Sequence, residues 1–417
     1  MGMNMNKRDC VIIGGGSAGL AAAIALKKQG VDVLLIEREE ELGGILNQCI
    51  HNGFGLTRFK EELTGPSYAE RMVQAFHELK VDYRINATVT QVNPDKTIHY
   101  IDETGVHAIQ AQTVLLAMGA RERTRGNIQI PGDRPAGVFT AGVAQRYLNK
   151  DGLLVGKRVF ILGSGDIGLI MARRLTLAKA EVVGVAEIMP YSNGLTRNLI
   201  QCLEDYSIPL YLSTTITQIK GRQSVEAIEL SRVDENLKPI PETAFWLDVD
   251  AVLLSVGLIP DNQLSSMAGI EIDPRSKGPK IGANYETSIP GVFASGNVLH
   301  IHDVVDYVSE EGDQAAAAIL NYLNEQGDES NTLTLSTDQN FIYALPHKLN
   351  PNIHNKLKYR VRKPMHDVRV CLVSNGTIVH SLKKEHLLPA ELEMMIIPQK
   401  VLAQCNGDCR LEIHNET

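Results

Sequence analysis

Gly14-Gly15-Gly16-Ser17-Ala18-Gly19 and Gly163-Ser164-Gly165-Asp166-Ile167-Gly168 lie roughly 150 residues apart, and the sequence around each follows one grammar. An apolar strand, Cys10 to Ile13, runs into the first turn; an alanine-rich helix, Ala18 to Lys28, leaves it; and a second strand, Val31 to Ile36, ends at Glu37. The second copy has Arg158 to Leu162, Ile167 to Ala178, and Val182 to Ala186 closing on Glu187. In such a unit the first glycine permits the tight turn, the second lets backbone approach a pyrophosphate, and the third lets helix pack on strand. The amides and dipole of the helix N-terminus meet the negative charge, and the acid ending the second strand accepts from a ribose. One such turn is weak evidence, because glycine-rich strand-to-helix turns also serve packing alone. Two complete units are much stronger, and a third repeated element joins them: Val114 to Gly119 (VLLAMG) and Val252 to Gly257 (VLLSVG) both read as buried strands stopping at a glycine. The predicted fold class is α/β, with two Rossmann-like dinucleotide-binding domains.

At 417 residues and 44% hydrophobic, the chain can bury a sizeable core in two or three domains. A net charge of −8 leaves no basic footprint for nucleic acid. No apolar run reaches the roughly 18 residues needed to cross a bilayer, and the N-terminal MGMNMNKR lacks the apolar stretch of a secretory signal. Six cysteines in this length do not make a disulphide scaffold. The expectation is a cytoplasmic protein, with Cys10 a small core hydrophobe.

The first nucleotide domain reads as discontinuous, residues 1–125 and 261–328, with the second, 126–260, inserted. The return is marked by Gly291-Val292-Phe293-Ala294-Ser295-Gly296-Asn297, a strand ending at a glycine, and by a helix from about Val305 through Leu323. Asn324 to Ser336 is polar and turn-rich, hence a linker. Beyond it, Tyr359 to Val361, Val368 to Val373 and Thr377 to Val379, with the turn signal Asn375-Gly376, predict a small β-rich module over 337–417.

These residues together resemble the two-dinucleotide flavoprotein oxidoreductases, the pyridine nucleotide-disulphide oxidoreductase superfamily that includes glutathione reductase and NADH oxidases. The resemblance implies FAD on the first unit and NAD(H) on the inserted one. It assigns Gly14, Gly16, Ser17, Ala18, Gly19, Glu37, Arg38, Gly44, Val89, Ala117, Gly119, Gly296, Asn297 and Val305 to FAD. It assigns Gly163, Gly165, Asp166, Ile167, Gly168, Glu187 and Gly257 to NAD(H). Asn297 stands where the superfamily has an Asp on the flavin ribitol, and an amide there still hydrogen-bonds a hydroxyl. The helix starting near Val305 is implied to aim its dipole at the flavin N1 and O2 edge. Closer similarity lies in GGILNQCIHNGFGL (Gly43 to Leu56), GNVLHIHDVVD (Gly296 to Asp306), YRVRKPM and LLPAELEM. These are similar to the FAD-dependent oxidoreductases that accompany anaerobic or type 2 glycerol-3-phosphate dehydrogenases, and more distantly to opine oxidase, hydrogen cyanide synthase and amine dehydrogenase α subunits. That tier implies an oligomer or a hetero-complex with a second flavoprotein or a cysteine-rich subunit.

Glutathione-reductase-like enzymes carry a redox disulphide in GGxCxxxxC. Here Leu46 and His51 occupy those two registers, with Cys49 between them. Dithiol chemistry is thereby excluded at that place, and electrons must leave the flavin to a small-molecule acceptor or another redox subunit. Cys49 and His51 remain the candidate catalytic residues. Cys49 reads either as a peroxidatic thiol, which needs a lowered pKa, or as packing; His51 reads as a proton donor or a hydrogen-bonded structural histidine. Glu187, followed by Ile188-Met189-Pro190 without an Arg, favours NADH over NADPH, with a packing role as the alternative.

His300 and His302, with Asp303, invite a metal reading, but two histidines without a third spaced ligand make a poor site, and no metal is expected. Glu310-Glu311 read as a solvated face or a helix-dipole feature. Cys405 and Cys409 bracket what reads as a hairpin tip between VLAQC and CRLEI; a disulphide, a thiol pair or a metal shared with His414 stand against reduced spectators. The leading function is an FAD-dependent, NADH-linked electron-transfer subunit, against a self-contained NADH oxidase or NADH:acceptor reductase, an opine or amine dehydrogenase α-subunit-like chain, and a docking module.

Overall fold

The computed structural model describes residues 7–324, 332–405 and 407–415. The chain divides into two compact units, 1–120 with 260–417, and 121–259.

The first unit is built on a parallel sheet, Asp82–Arg84, Val33–Ile36, Lys7–Ile13, Gly105–Leu116 and Val292–Ala294 in that order. Ile13 pairs with Ile36 and Leu116, and Ala294 with Leu116, so the strand ends carrying Gly14, Glu37, Ala117 and Ser295 line one edge. The apolar runs are continuous because both faces are covered. Ile12, Leu35, Leu115 and Phe293 pack against helices on one face, while Val11, Leu34, Val114 and Val292 pack on the other. Helices Ser17–Lys28 and Val305–Leu323 cross so closely that a Cβ on Gly312 would lie 2.3 Å from the Ala18 carbonyl oxygen. An antiparallel pair, Thr88–Val92 and Thr97–Asp102, extends the sheet.

The second unit repeats the plan with parallel strands Val138–Thr140, Ala251–Leu254, Arg158–Leu162, Glu181–Ala186 and Leu210–Tyr211. Its helix after the glycine turn spans Asp166–Leu177. Three antiparallel strands, Thr214–Lys220, Ala227–Arg232 and Phe245–Asp248, complete it.

The C-terminal region belongs to the first unit and is β-rich, around a core that includes Leu357, Tyr359, Val370, Leu372 and Leu411. Asn375 and Gly376 have φ of 50° and 76°, the left-handed pair that a two-residue hairpin turn requires, between Met365–Ser374 and Thr377–Leu387. Two sequence expectations are corrected. Leu333–Thr337 is a strand paired with Cys409–Asn415, so the polar linker ends sooner than Ser336; residues 325–331 of it lie outside the described residues. VLAQC is not the first arm of a hairpin: Gln399–Leu402 is a short helix entered from Pro398, whose carbonyl accepts from Val401 N–H at 3.0 Å. Among the described residues no helix is long and apolar enough to cross a membrane.

Candidate functional site

Both glycine turns owe their shape to steric necessity at two positions each. A Cβ on Gly14 (φ +109°) would lie 2.4 Å from the Ala117 carbonyl oxygen, and one on Gly19 would lie 1.9 Å from the Gly14 carbonyl oxygen. Gly163 (φ +101°) meets Ser255 O at 2.1 Å and Gly168 meets Gly163 O at 2.5 Å in the same way. The middle glycines differ: a Cβ on Gly16 or Gly165 would meet nothing within 4 Å. Packing explains the outer glycines and leaves the middle ones facing open space, at helix N-termini whose caps carry no side-chain hydrogen bond. That is the cradle a pyrophosphate fills. Gly44 (φ +61°) backs onto the first turn, its virtual Cβ 3.1 Å from Gly16 Cα. On the same sheet edge Ser295 Oγ is buried with no hydrogen-bond partner. The residues present therefore fit a dinucleotide.

The two acids brace the turns they follow. Glu37 Oε2 accepts from Gly15 N–H at 2.6 Å, and its Oε1 from Glu39 N–H at 2.8 Å. Glu187 Oε2 accepts from Ser164 N–H at 3.1 Å and Ser164 Oγ at 2.8 Å, and its Oε1 from Met189 N–H at 3.1 Å. Both are buried. An ionised carboxylate offers about four lone-pair sites, so each retains acceptor capacity.

Ala117 holds the sheet edge through its N–H to Ile13 O at 2.9 Å. Arg38 is exposed, 3.6 Å from Glu39, and Val89 is half-buried on Thr88–Val92. Ser17, Ala18 and Gly19 are buried in the first helical turn. Gly119 and Gly257 end their segments at φ +74° and +100°. Asp166 Oδ1 accepts from Leu195 N–H and Asn198 Nδ2, at 2.9 and 2.6 Å, and Ile167 is half-buried behind it.

The helix starts at Val305, as the sequence predicts. Asp306 in its first turn, which sequence reasoning missed, accepts from Gly55 N–H at 3.1 Å and Arg58 N–H at 2.7 Å, tying the Gly43–Leu56 stretch to the helix start. In that stretch Cys49 Sγ donates to Ile45 O at 3.3 Å, and burial pushes its thiol up to about 12. A peroxidatic role needs the opposite shift. His51 Nδ1 lies 2.9 Å from Asn52 O, and its ring is 4.9 Å from Phe54.

Asn297 Oδ1 is engaged by His302, from the backbone N–H at 3.1 Å and from Nδ1 at 3.0 Å. Glu311 is not on a solvated face. It is 1% exposed and accepts from Gly296 N–H at 2.8 Å on Oε2, while its Oε1 meets His300 Nε2, His302 Nε2 and Lys358 Nζ. Burial alone would raise its carboxyl; the facing His302, Lys358 and His300 instead hold it well below the usual range. Burial, then the neighbouring His302, pushes the His300 imidazole down to about 3. Glu310, one residue earlier, pairs with Lys356 at 2.8 Å. Asp303 joins Arg360 and accepts from Leu392 N–H at 2.6 Å instead of joining the histidines.

None of the six cysteines is in a disulphide. Burial, then Cys405, pushes the Cys409 thiol up to about 12.

The sequence matches the pyridine nucleotide-disulphide oxidoreductase family over residues 8–320. It is 25% identical over 360 residues to hydrogen cyanide synthase subunit HcnB of Pseudomonas protegens, covering 79% of this chain and 73% of that one. It is 27% identical over 325 residues to thioredoxin reductase of Mycolicibacterium smegmatis, covering 76% and 97%. The crystal structure of T. acidophilum thioredoxin reductase shares the fold, with a TM-score of 0.61 at 21% identity, covering 77% of this chain and all (100%) of that one. The chain belongs to the pyridine nucleotide-disulphide oxidoreductase family and is an FAD-dependent NAD(P)H oxidoreductase.

Proposed function

We propose that this pyridine nucleotide-disulphide oxidoreductase is an NADH-linked electron-transfer subunit, which takes hydride from NADH and passes electrons to a partner instead of to a dithiol. The observation that carries the reading is the state of its cysteines. Cys10, Cys202, Cys371, Cys405 and Cys409 are buried, Cys49 donates to a carbonyl, and none is paired in a disulphide. Unit 121–259 holds one cysteine, Cys202, so no two thiols are available within it.

Bound FAD supplies the hydride acceptor, N5, for C4 of NADH and stores the electron pair. The protein's part is binding and orientation. The amides at Gly16, Ser17 and Ala18 hold the flavin nucleotide's pyrophosphate, and Glu37 turns its spare lone pairs to the ribose. Gly165 and Glu187 do the same for NADH, and the buried Glu187 carboxylate repels a 2′-phosphate. Asn297, its carbonyl held by His302, presents its amide N–H to the ribitol. His51 is the proton-exchanging group beside Cys49, whose raised thiol makes it a contact and not a nucleophile.

That a relative bears the name of a hydrogen cyanide synthase subunit supports a hetero-complex. The assembly we favour oxidises glycerol-3-phosphate or a related substrate in the cytoplasm. The test is anaerobic titration of the purified chain: yellow protein that bleaches with NADH at lower concentrations than with NADPH, yet turns over oxygen and quinones slowly, supports the subunit reading. Rapid turnover of oxygen by the isolated chain makes it a self-contained NADH oxidase. Yellow protein inert to both coenzymes would leave only a docking role.

A further inference from the structure

His300, His302 and Glu311 converge in the interior. The two Nε2 atoms lie 3.1 and 3.2 Å from Glu311 Oε1, and the three ligand atoms fall within 4.8 Å of one another. Their side chains are sealed, at 0%, 0% and 2% exposure. The imidazole centroids are 4.1 Å apart, and both Nε2 atoms face the same Glu311 oxygen. Edges of 3.1 and 3.2 Å approach the roughly 3.3 Å edge of a tetrahedron whose metal–ligand bonds are about 2.0–2.1 Å.

The outer nitrogens are held as a metal-ligating histidine requires. His302 Nδ1 faces Asn297 Oδ1, and that atom is fixed as the oxygen because the His302 backbone N–H donates to it too. Nδ1 therefore carries a proton, and Nε2 points inward, buried, 3.2 Å from Glu311 but off the line of a hydrogen bond. On the other ring, His300 Nδ1 lies 3.4 Å from Tyr343 Oη, itself held by Arg360 Nε at 3.1 Å. A hydroxyl donates or accepts, so it serves either tautomer of His300.

A buried carboxylate needs a counter-cation, and here Lys358 provides it. A divalent ion beside that ammonium would leave excess positive charge in a dry interior, so the two compete. Lys358 also lines a cavity of about 980 Å³ beside the last helix, with Asn284, Gln314 and Asn355, which gives its head a polar place to withdraw.

We propose that His300, His302 and Glu311 form a binding site for a divalent first-row transition ion, with Lys358 as the resident cation that the ion displaces. Two imidazoles and one carboxylate are a ligand set for zinc or ferrous iron. The ion would pin the loop carrying His300 and His302 to the last helix at Glu311, and would release Lys358 on the C-terminal strand Asn355–Val361. The site adjoins Gly296 and Asn297, but its ligand set does not depend on which coenzyme the chain uses.

The test uses the full chain with its flavin, treated with a chelator, desalted, and titrated with Zn2+ and separately with Co2+. The proposal expects one Zn2+ retained per chain after gel filtration, and with Co2+ the intense visible bands of a low-coordinate ion. His300→Gln should lose both signals while keeping flavin content and far-ultraviolet dichroism, and His302→Gln, which also frees Asn297, should lose both signals while keeping far-ultraviolet dichroism. Lys358→Met should bind about tenfold tighter or more. Absence of retained Zn2+ on the wild-type chain overturns the proposal without recourse to any variant. So does retention that survives the double His→Gln change, which would put the metal elsewhere.

Discussion

Gly16→Ala and Gly19→Ala are three residues apart in one turn, yet they should fail in opposite ways. At Gly19 the added methyl would sit 1.9 Å from a backbone oxygen, Gly14 O, which no side-chain rotation can clear. Overpacking of this kind costs about 1–3 kcal/mol, and a backbone clash belongs at the upper end. At roughly 2–4 °C per kcal/mol for a large domain, the melting temperature should fall by about 6 °C or more. Gly16 has φ −81° and ψ −168°, open to any residue, and its methyl would touch nothing. There the apoprotein should be unchanged or stabilised by about 0.4–1 kcal/mol. The methyl would instead occupy the space through which backbone meets pyrophosphate. Loss of one charge-assisted hydrogen bond, about 1.5–3 kcal/mol, weakens FAD binding about 10- to 100-fold. The assay is a pair of measurements on apoprotein: thermal melting by dichroism, and reconstitution followed by quenching of FAD fluorescence. Wild-type FAD affinity in Gly16→Ala, or a melting temperature as depressed as that of Gly19→Ala, would refute the division between packing glycines and ligand-facing ones.

Glu187→Arg should move the ratio of kcat/KM values from NADH toward NADPH. It should also lower stability by about 1–3 kcal/mol, because the buried Ser164 and half-buried Met189 donors lose their acceptor; an unaltered coenzyme ratio sinks the assignment. Cys49→Ser should retain NADH-dependent flavin reduction, and wild-type Cys49 should alkylate with iodoacetamide only far above neutral pH, since burial puts its thiol at about 12; rapid labelling at pH 7 would contradict this. Asp273 lies 3.3 Å from the His347 ring, which with the Arg275 amide holds its carboxyl below the ordinary range against the effect of burial. A depressed carboxyl contributes stability that is complete above the unfolded value of about 3.9 and is lost as pH falls toward the folded one. Melting temperature should therefore drop on acidification below about pH 4, and Asp273→Asn should flatten that drop while lowering stability at neutral pH.

The parts of this fold that were legible in the sequence are those whose cause is local. Gly19 is glycine because of Gly14 O within the same turn, so its spacing announces the geometry, whereas Gly14 is held to glycine by Ala117 O from a distant strand and is read only through the motif it belongs to. Val33–Ile36 is apolar throughout because the strand is covered on both faces, and no distant partner need be known to read it. Asn375-Gly376 likewise states its own turn. Where the sequence misled, a local signal pointed two ways. VLAQC has the branched and apolar character of a strand, but Pro398 ahead of it starts a helix.

Glu311 is a different kind of case, because the sequence held the warning without the explanation. Gly312, Ala315, Ala316 and Ile319 are the buried stripe of the last helix, and one turn before Ala315 on that stripe stands Glu311. Glu310, only one residue away, is turned aside and pairs with Lys356. A carboxylate on an apolar stripe cannot stay there uncompensated, so its position demanded a cation from somewhere in the chain. The compensating residue is Lys358, on a strand 47 residues further on, in a module beyond the stretch that matches the family. No spacing rule links the two, and only the packing of that module against the helix brings them together. Closer at hand, the loop ahead of the helix sets the His300 and His302 pair, which lacked a third ligand in sequence, against Glu311 and makes a three-ligand constellation. A charged residue on the buried face of a helix is thus a better pointer to an unassigned site than the neighbouring histidines were, since it requires a partner where they merely permit one.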